Sequence, residues 1–301
     1  MIKPKALSFN DEIGIIAPSG PFFNSDQLEK SIDKIKKIGF KPILGRSCYA
    51  KDGFLAGGDD VRAKDINIFF DSSNIKAIVA LRGGYGAMRI LDKIDYKSIR
   101  KNPKIFVGYS DITAIHSAIN KYSNLVTFHG PMIYSDFYRM DKETLSSFLH
   151  NVMDIKYTPK YDLEAVVEGD VSGKIFGGNL TILTSLLGSK YQVNYKDIVL
   201  FLEEINEEPY KVDRMLYQLY LSGAFEKVKG VILGQFTSCN SYDKERSYSL
   251  EYVLEGFFKK YSIPCYKGLN IGHDESKITI PLGASCKIIG SKLILTEGGV
   301  K

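Results

Sequence analysis

The first half of the chain alternates short apolar runs with segments of helical periodicity, and this alternation restricts the fold more than any other feature. The runs that we predict to be strands are "EIGIIAPSG", "KPILG", "IKAIVALRGGYG", "KIFVGYS" and "LVTFHGP". Helical patterns follow them, as where Leu28, Ile32 and Ile35 recur at helical spacing. Strands that alternate with helices of this length form βαβ units, so the sequence predicts a parallel sheet covered on both faces.

After residue 153 the pattern changes to short strands with a few helices. A chain of 301 residues is long for one hydrophobic core, so we expect two domains. The stretch "DIKYTPKYDLEAVVEGDVSG" has no helical period, and we place a linker at 156–168. The prediction is therefore an α/β domain at 1–155 and a smaller, partly antiparallel β-rich domain at 169–301. The polar stretch "TSCNSYDKERSYS" is predicted to be a surface loop.

Composition and charge exclude several classes of protein. The net charge of +5 is mild, and Lys-rich stretches such as "EKSIDKIKKIG" interleave acids, which is typical of solvated helix faces and not of nucleic-acid binding. No run of about 18 apolar residues predicts a membrane span. The first residues carry no export pattern, so we expect a cytoplasmic location. The four cysteines stand far apart without a CxxC pair, so we expect neither a disulfide framework nor a zinc site.

Ligands of open parallel sheets bind beyond the carboxyl ends of the strands. In this chain those ends are "APSG" (17–20), "LRGGYG" (81–86), "GYSD" (108–111) and "FHGP" (128–131). The glycines of "RGGYG" match neither G-x-G-x-x-G nor a Walker motif, which argues against a nucleotide phosphate. Two interpretations stay open from the pattern alone: a tight turn under the next helix, or a loop whose backbone N–H groups bind an oxyanion.

Ser110 lies where a strand meets a helix, and this placement allows two interpretations. The first is an N-cap, for which serine is well suited. The second is a nucleophile on a strand-to-helix turn, where the N–H of Asp111 and the helix dipole would face a developing negative charge. The G-x-S-x-G sequence of the nucleophile elbow is absent, because position 112 is Ile.

A nucleophilic serine needs a base, and the chain has four histidines. His116 and His150 lie within helical patterns and are predicted to be structural and exposed, respectively. His129 at a strand end and His273 in a glycine-bracketed loop are equally suitable from the pattern alone.

The base needs a carboxylate to orient it. "IVLFLEE" ends a buried strand with Glu203 and Glu204, and strand alternation predicts that one of the two points inward and the other outward. The alternative is a solvated strand end followed by an acidic helix start.

Several segments together resemble the LD-carboxypeptidases, cytoplasmic serine peptidases of bacteria whose relatives include the microcin C self-immunity proteins. The resemblance covers nearly the whole chain. Its segments are "GIIAPSG", "ALRGGYGAMRILDKIDY", "KIFVGYSDITAIHSAI", "TFHGPM", "GKIFGGNLTILTSLLGS", "LFLEEINEEPYKVDRMLYQL", "GVILGQF" and "IGHDESKITIPLGASC". It implies an N-terminal parallel-sheet α/β domain (flavodoxin-like) and a smaller C-terminal β-rich domain, usually in a homodimer.

The resemblance also implies roles for individual residues. It implies a Ser110–Glu203–His273 triad, and so selects His273 over His129, with an oxyanion hole formed by the backbone N–H groups of Gly84 and Asp111. A carboxypeptidase must bind a terminal carboxylate, for which Arg82, Lys174 and Arg214 are the candidate cations. The expected substrate-binding residues are Arg82, Tyr85, Gly178 and Asn179.

The activity that the resemblance implies is removal of terminal D-Ala from the murein tetrapeptide during peptidoglycan recycling, without metal or cofactor. The alternatives are an immunity-type hydrolase of peptidyl or aminoacyl nucleotides and a non-catalytic muropeptide-binding protein. The immunity-type relatives tend to be longer and to stack an aromatic residue on the base, whereas this chain is compact and has no Trp, which favours the carboxypeptidase.

Overall fold

The computed structural model describes residues 1–243 and 245–301, so Lys244 of the predicted surface loop lies outside the described residues. The strands are β1 (Glu12–Ile16), β2 (Lys41–Leu44), β3 (Ile75–Ala80), β4 (Ile105–Gly108), β5 (Thr127–His129), β6 (Lys160–Asp162), β7 (Glu164–Val167), β8 (Val171–Asn179), β9 (Ile198–Ile205), β10 (Gly230–Thr237), β11 (Cys265–Lys267), β12 (Ile280–Leu282), β13 (Ser285–Ile289) and β14 (Lys292–Leu295).

Helices connect most of these strands. The α-helices are α1 (Ser25–Ile38), α2 (Asp59–Asp71), α3 (Tyr96–Lys101), α4 (Thr113–Ser123), α5 (Ile133–Asp136), α6 (Lys142–Met153), α7 (Leu180–Ser185), α8 (Pro209–Leu221) and α9 (Leu250–Tyr261). Short 3₁₀ helices cover Arg46–Tyr49, Ala87–Lys93, Ser110–Ile112 and Phe137–Arg139.

The chain divides into two compact units. The first contains Met1–Tyr157, Glu275–Leu282 and Gly298–Lys301, and the second contains Thr158–Asp274 and Gly283–Glu297. This division differs from the predicted boundaries, because two late segments return to the first unit.

Strand pairing and buried polar contacts explain why residues 275–282 join the first unit. β12 pairs antiparallel with β5. Lys277 and Asp136 form a buried ion pair with 2.6 Å between Nζ and Oδ1, and Lys277 Nζ also lies 5.1 Å from the centre of the Tyr109 ring. The backbone N–H of Thr279 donates to the Ser147 hydroxyl (2.9 Å). These contacts depend on residues far apart in sequence, so no local pattern marks this segment as part of the first unit.

The sheet of the first unit has the strand order β2-β1-β3-β4-β5-β12. β1 to β5 are mutually parallel, and only β12 runs antiparallel to its neighbour. The order 2-1-3-4-5 is that of flavodoxin-like sheets, so the predicted fold class is confirmed. Apolar side chains of the central strands are fully buried, as Ile15, Val79 and Val107 illustrate.

The sheet of the second unit has the order β6-β14-β13-β8-β9-β10-β11-β7. Its central strands β8, β9, β10 and β11 are parallel, and the strands on either side are antiparallel. The predicted linker at 156–168 differs from the structure, since it contains β6 and β7, which lie at the two edges of this sheet. Edge strands are half-exposed and short, which explains why their sequence has the composition of a linker.

Gly177 permits the pairing of β8 with β9 that places Asn179 opposite Glu203. A Cβ atom at position 177 would overlap the backbone carbonyl oxygen of Phe201, its partner in the register. Because the obstacle is backbone in the middle of a sheet, it cannot move aside as a flexible side chain would.

We therefore expect Gly177→Ala to lower the free energy of unfolding by at least about 1–3 kcal/mol, the usual cost of overpacking. Urea unfolding measures this change. The control is Gly256→Ala on α9, where a Cβ meets nothing within 4 Å and the better helix propensity of alanine should stabilise by up to about 1 kcal/mol. Equal unfolding free energies for the two variants would contradict this explanation.

Candidate active site

Ser110 occupies a strained turn directly after β4. It is the first residue of the 3₁₀ helix that leads into α4, it is half-buried, and its φ of 63° lies in the left-handed region. Serine rarely adopts this conformation, and such strain is concentrated at functional sites, as in a nucleophile elbow. The N-cap interpretation is wrong, because neither the 3₁₀ helix nor α4 has a side-chain cap.

The glycine-rich turn after β3 lies against Ser110. A Cβ on Gly83 would stand 2.8 Å from Cβ and 3.0 Å from Oγ of Ser110, and 3.5 Å from the backbone nitrogen of Asp111. The next residue, Gly84, has a φ of 119°, which favours glycine. The turn is fixed to the loop after β1, since the N–H of Gly20 donates to the carbonyl of Gly83 (3.2 Å). Glycine is therefore required here so that backbone can approach the serine closely.

The Asp111 carboxylate joins three of the loops at the carboxyl edge of the sheet. Its Oδ2 accepts hydrogen bonds from the Ser19 hydroxyl (2.6 Å) and from the backbone N–H of Ala87 (2.8 Å). Burial raises the pKa of Asp111, while these hydrogen bonds and the nearby Arg62 charge act in the opposite direction. Asp111 thus holds the loops after β1 and β3 against the turn that carries Ser110.

Arg62, which the sequence analysis missed, also holds the loops after β1 and β3 together. Its fully buried guanidinium donates to the carbonyls of Pro18 (2.5 Å) and Gly86 (2.8 Å) and pairs with Asp59. The available signal was its position, because Arg62 shares the buried stripe of α2 with Ile66 and would otherwise be an isolated charge in the core.

The histidines of the first unit take different positions. The buried His116 donates from Nε2 to the Gly108 carbonyl (2.9 Å) and accepts from the Thr127 hydroxyl (2.9 Å), and burial lowers its pKa to about 4. His116 is therefore neutral and structural, as expected. His129 is buried with its ring centre 5.7 Å from that of Tyr109. His150 is exposed.

Glu203 and His273 form a close pair within the second unit. Nδ1 of His273 lies 2.7 Å from Oε2 of Glu203, a carboxylate on β9 that is fully buried. Burial raises the pKa of Glu203, and the hydrogen bond and charge of His273 oppose that shift. Since an ionised carboxylate only accepts hydrogen bonds, Nδ1 carries the hydrogen and Nε2 is the basic nitrogen of the ring.

The loop around His273 is fastened to β10. Gly272 packs so closely that a Cβ would stand 2.8 Å from Cβ of Gln235. On the C-terminal side of His273, the N–H of Asp274 donates to the Gln235 side chain (3.0 Å). The Asp274 carboxylate accepts from the Thr237 hydroxyl (2.6 Å). The imidazole is thereby held in one orientation toward Glu203.

The expectation that either Glu203 or Glu204 points outward is wrong, because both are buried. Glu204 accepts hydrogen bonds from the Asn179 side chain (2.7 Å) and from the backbone N–H of Thr181 (2.8 Å). Asn179 in turn caps α7 by accepting from the N–H of Ile182 (3.1 Å). Glu204 thus satisfies the first turn of α7, and helix packing covers the face that alternation would expose.

The other residues predicted from the sequence fall into two groups. Arg82 and Tyr85 lie on the glycine-rich turn near Ser110, with Tyr85 48% exposed. Gly178 and Asn179 end β8 beside Glu203. Lys174 is exposed on β8, and Arg214 is exposed on α8. Each unit therefore brings together part of the predicted site: the serine and its neighbouring loops in one, and the acid–histidine pair in the other.

Residues 1–243 and 245–301 contain neither a cluster of potential metal ligands nor a helix suited to cross a bilayer. There, no three or more His, Cys, Asp or Glu side chains cluster as metal ligands would. None of the helices in that part of the chain has the length and apolar character needed to cross a bilayer.

Two family models match the chain. The LD-carboxypeptidase N-terminal domain matches residues 13–130, and the LD-carboxypeptidase C-terminal domain matches residues 172–288. Ser110 lies within the first match, and Glu203 and His273 lie within the second.

Relatives and solved structures agree with the family models. The probable murein peptide carboxypeptidase of Bacillus subtilis (strain 168) is 38% identical over 99% of this chain and 95% of its own length. A muramoyltetrapeptide carboxypeptidase from Oxalobacter formigenes is 32% identical with a TM-score of 0.85, covering 94% of this chain and 97% of that one. The microcin C7 self immunity protein MccF shares the fold with a TM-score of 0.92 at 24% identity over both full chains. The resemblance is confirmed: the chain belongs to the LD-carboxypeptidase family of peptidases.

Proposed function

We propose that this chain is a serine carboxypeptidase that removes the terminal D-Ala from murein tetrapeptides. The scissile bond joins the L-centre of the diamino acid to the D-residue, and the reaction serves peptidoglycan recycling in the cytoplasm. The relatives support the substrate, since the 38% identical relative is named a murein peptide carboxypeptidase. The observation that carries the mechanism is the 2.7 Å contact between His273 and the buried Glu203 carboxylate. We further propose a homodimer, as is usual in the family.

In the proposed mechanism Ser110, His273 and Glu203 act as one triad. Ser110 Oγ attacks the scissile carbonyl carbon while Nε2 of His273 takes the hydroxyl proton. Glu203 holds the ring in the required tautomer and stabilises the imidazolium as it forms. The C–N bond then breaks, His273 gives its proton to the departing D-Ala amine, and water hydrolyses the ester on Ser110 by the same route.

Backbone donors would stabilise the tetrahedral oxyanion. The N–H groups of Asp111 and Gly84 are the proposed donors, and the close packing of the Gly83 backbone on Ser110 and Asp111 supports this role. Gly84 follows Gly83 directly, so its amide belongs to the same tightly packed turn.

The short sequence distance between His273 and Lys277 supports the proposal that His273 acts on Ser110. His273 precedes Lys277 by four residues, and Lys277 packs on the ring of Tyr109, which is the residue before Ser110. The segment that carries the base is thus continuous with one that contacts the nucleophile turn.

Hydrolysis of a murein tetrapeptide to tripeptide and D-Ala tests the triad. We expect Ser110→Ala and His273→Ala each to lower kcat by about 10⁴–10⁶, Glu203→Gln by somewhat less, and the double variant Ser110→Ala/His273→Ala by no more than either single one. Release of D-Ala under saturating substrate is the measurement.

Matched controls are Ser185→Ala on α7 and His150→Ala on α6, because both side chains are exposed and should leave kcat unchanged. Full D-Ala release by Ser110→Ala would contradict Ser110 as the nucleophile, and binding of the tetrapeptide without D-Ala release by wild type would leave only a binding protein. Loss of activity in His129→Gln with full activity in His273→Ala would assign the base to the other histidine.

The immunity-type hydrolase is the second candidate, since a MccF-like protein from Bacillus anthracis is 27% identical with a TM-score of 0.87. The same assay with aspartyl sulfamoyl adenosine separates the two. We expect kcat/KM for the tetrapeptide to exceed that for the nucleotide at least about 100-fold, the ordinary discrimination of a site built for one substrate. The reverse ratio would replace the carboxypeptidase proposal.

The proposed role of Glu203 requires an ionised carboxylate, and ionisation of this buried group lowers the free energy of unfolding. The reason is that burial raises the pKa of its carboxyl group. As pH rises from about 4.3, the unfolded state ionises while the folded state retains the proton, so wild type loses stability until its folded pKa is passed. In Glu203→Gln, the amide oxygen can still accept the hydrogen bond from His273, and the side chain never ionises.

Urea unfolding across pH should therefore show Glu203→Gln gaining stability relative to wild type as pH rises above about 4.3, although its activity is lost. Glu29→Gln, which replaces an exposed carboxylate on α1, is the matched control. A stability difference between Glu203→Gln and wild type that is constant from pH 4 to pH 8 would contradict the role of burial.

A further inference from the structure

Arg82 stands out among the charged residues around the nucleophile turn. It directly precedes Gly83, the residue whose backbone packs on Ser110. Its guanidinium borders the same loops: a Cβ on Gly84 would lie 3.8 Å from Nη2, and one on Gly20 would lie 3.6 Å from Nε. The positive charge is thus placed beside Gly84, one of the two proposed oxyanion donors.

The charge of Arg82, unlike that of the other arginines near these loops, has no acidic partner. Asp59 forms an ion pair with both Arg62 and Arg89, and its Oδ1 lies 3.1 Å from Nε of Arg89. Within residues 1–243 and 245–301, Arg82 makes no ion pair, and one hydrogen bond joins its Nη1 to the Pro21 carbonyl (3.2 Å). A guanidinium has five N–H donors, so most of the fork is available to a ligand.

Neighbouring side chains hold the guanidinium in place before any ligand arrives. Its central carbon lies 4.9 Å from the centre of the Phe23 ring, a cation–π contact. Arg82 is half-buried, so water screens its charge less and its attraction to an anion is stronger than at an exposed position. These are the properties of an arginine that recognises an anion, because little rotamer freedom remains to be lost on binding.

The geometry of the proposed substrate places its terminal carboxylate close to the bond that is cleaved. In a terminal amino acid the carboxylate carbon is three bonds from the scissile carbonyl carbon, so the two lie about 3–4 Å apart. Whatever binds that carboxylate must therefore stand close to the nucleophile. Of the three candidate cations, Arg82 is the one that lies in the chain next to the turn that packs on Ser110, whereas Lys174 is on β8 and Arg214 is on α8.

We propose that Arg82 binds the terminal α-carboxylate of the substrate and thereby makes the enzyme an exopeptidase. This inference rests on the proposed function and adds the residue that selects a chain end over an internal peptide bond. A planar guanidinium matches both oxygens of a carboxylate, which fixes the direction of the leaving D-residue as well as its charge.

The test compares two substrates that differ only in this group: the murein tetrapeptide and the same peptide with a C-terminal amide. We expect wild type to prefer the acid in kcat/KM by about 10- to 100-fold, the value of a hydrogen bond to a charged group. Arg82→Gln should lose about that factor for the acid and change by less than about twofold for the amide. Arg82→Lys, which keeps the charge without the fork, should retain part of the preference.

Arg89→Gln is the matched control, because this exposed arginine pairs with Asp59 and should leave the acid-to-amide ratio unchanged. Equal losses for both substrates in Arg82→Gln and Arg82→Lys would show a structural role and overturn the inference, as would an unchanged ratio. If wild type cleaved neither peptide, the proposed function itself would fail and the inference with it. Cleavage of both peptides with equal kcat/KM by wild type overturns the inference alone.

Discussion

The hydrogen bond between His273 and the buried carboxylate of Glu203 is the contact on which the proposed chemistry depends. A carboxylate that loses all contact with water is costly, and a partner must compensate it. Here the imidazole is that partner, with 2.7 Å between Nδ1 and Oε2. The register of β8 and β9, which needs Gly177, and the fastening of the 273 loop to β10 keep the two groups together. Much of the second unit can therefore be understood as support for one oriented ring.

The first unit solves a different problem, the presentation of a hydroxyl at the edge of a parallel sheet. Ser110 is held in a left-handed conformation, and the loops after β1, β3 and β4 are joined through Asp111 and Arg62. A strained backbone conformation such as that of Ser110 persists only where the surrounding structure holds it in place. This network of buried hydrogen bonds supplies that restraint. On one side of the hydroxyl, the backbone of Gly83 packs closely against Ser110.

Local patterns were sufficient for the fold class and for the turn around Ser110, because both depend on periodicity and on where strands end. They could not choose between His129 and His273, since no local pattern shows which strand end a loop approaches; the family resemblance chose His273, and its role stays a prediction. Arg62 was missed because its hydrogen bonds to the carbonyls of Pro18 and Gly86 join residues distant in sequence. The expected outward side chain of the Glu203–Glu204 pair is buried because α7 needs a cap, a tertiary requirement that overrides alternation.

The central claim is that His273 activates Ser110, and covalent labelling tests it most directly. A fluorophosphonate probe reacts only with a serine that has a base, and mass spectrometry identifies the modified residue. The account predicts a single adduct on Ser110, absent in Ser110→Ala and slowed at least about 10³-fold in His273→Ala. An adduct on another residue, or equal labelling rates at Ser110 in wild type and His273→Ala, would contradict it.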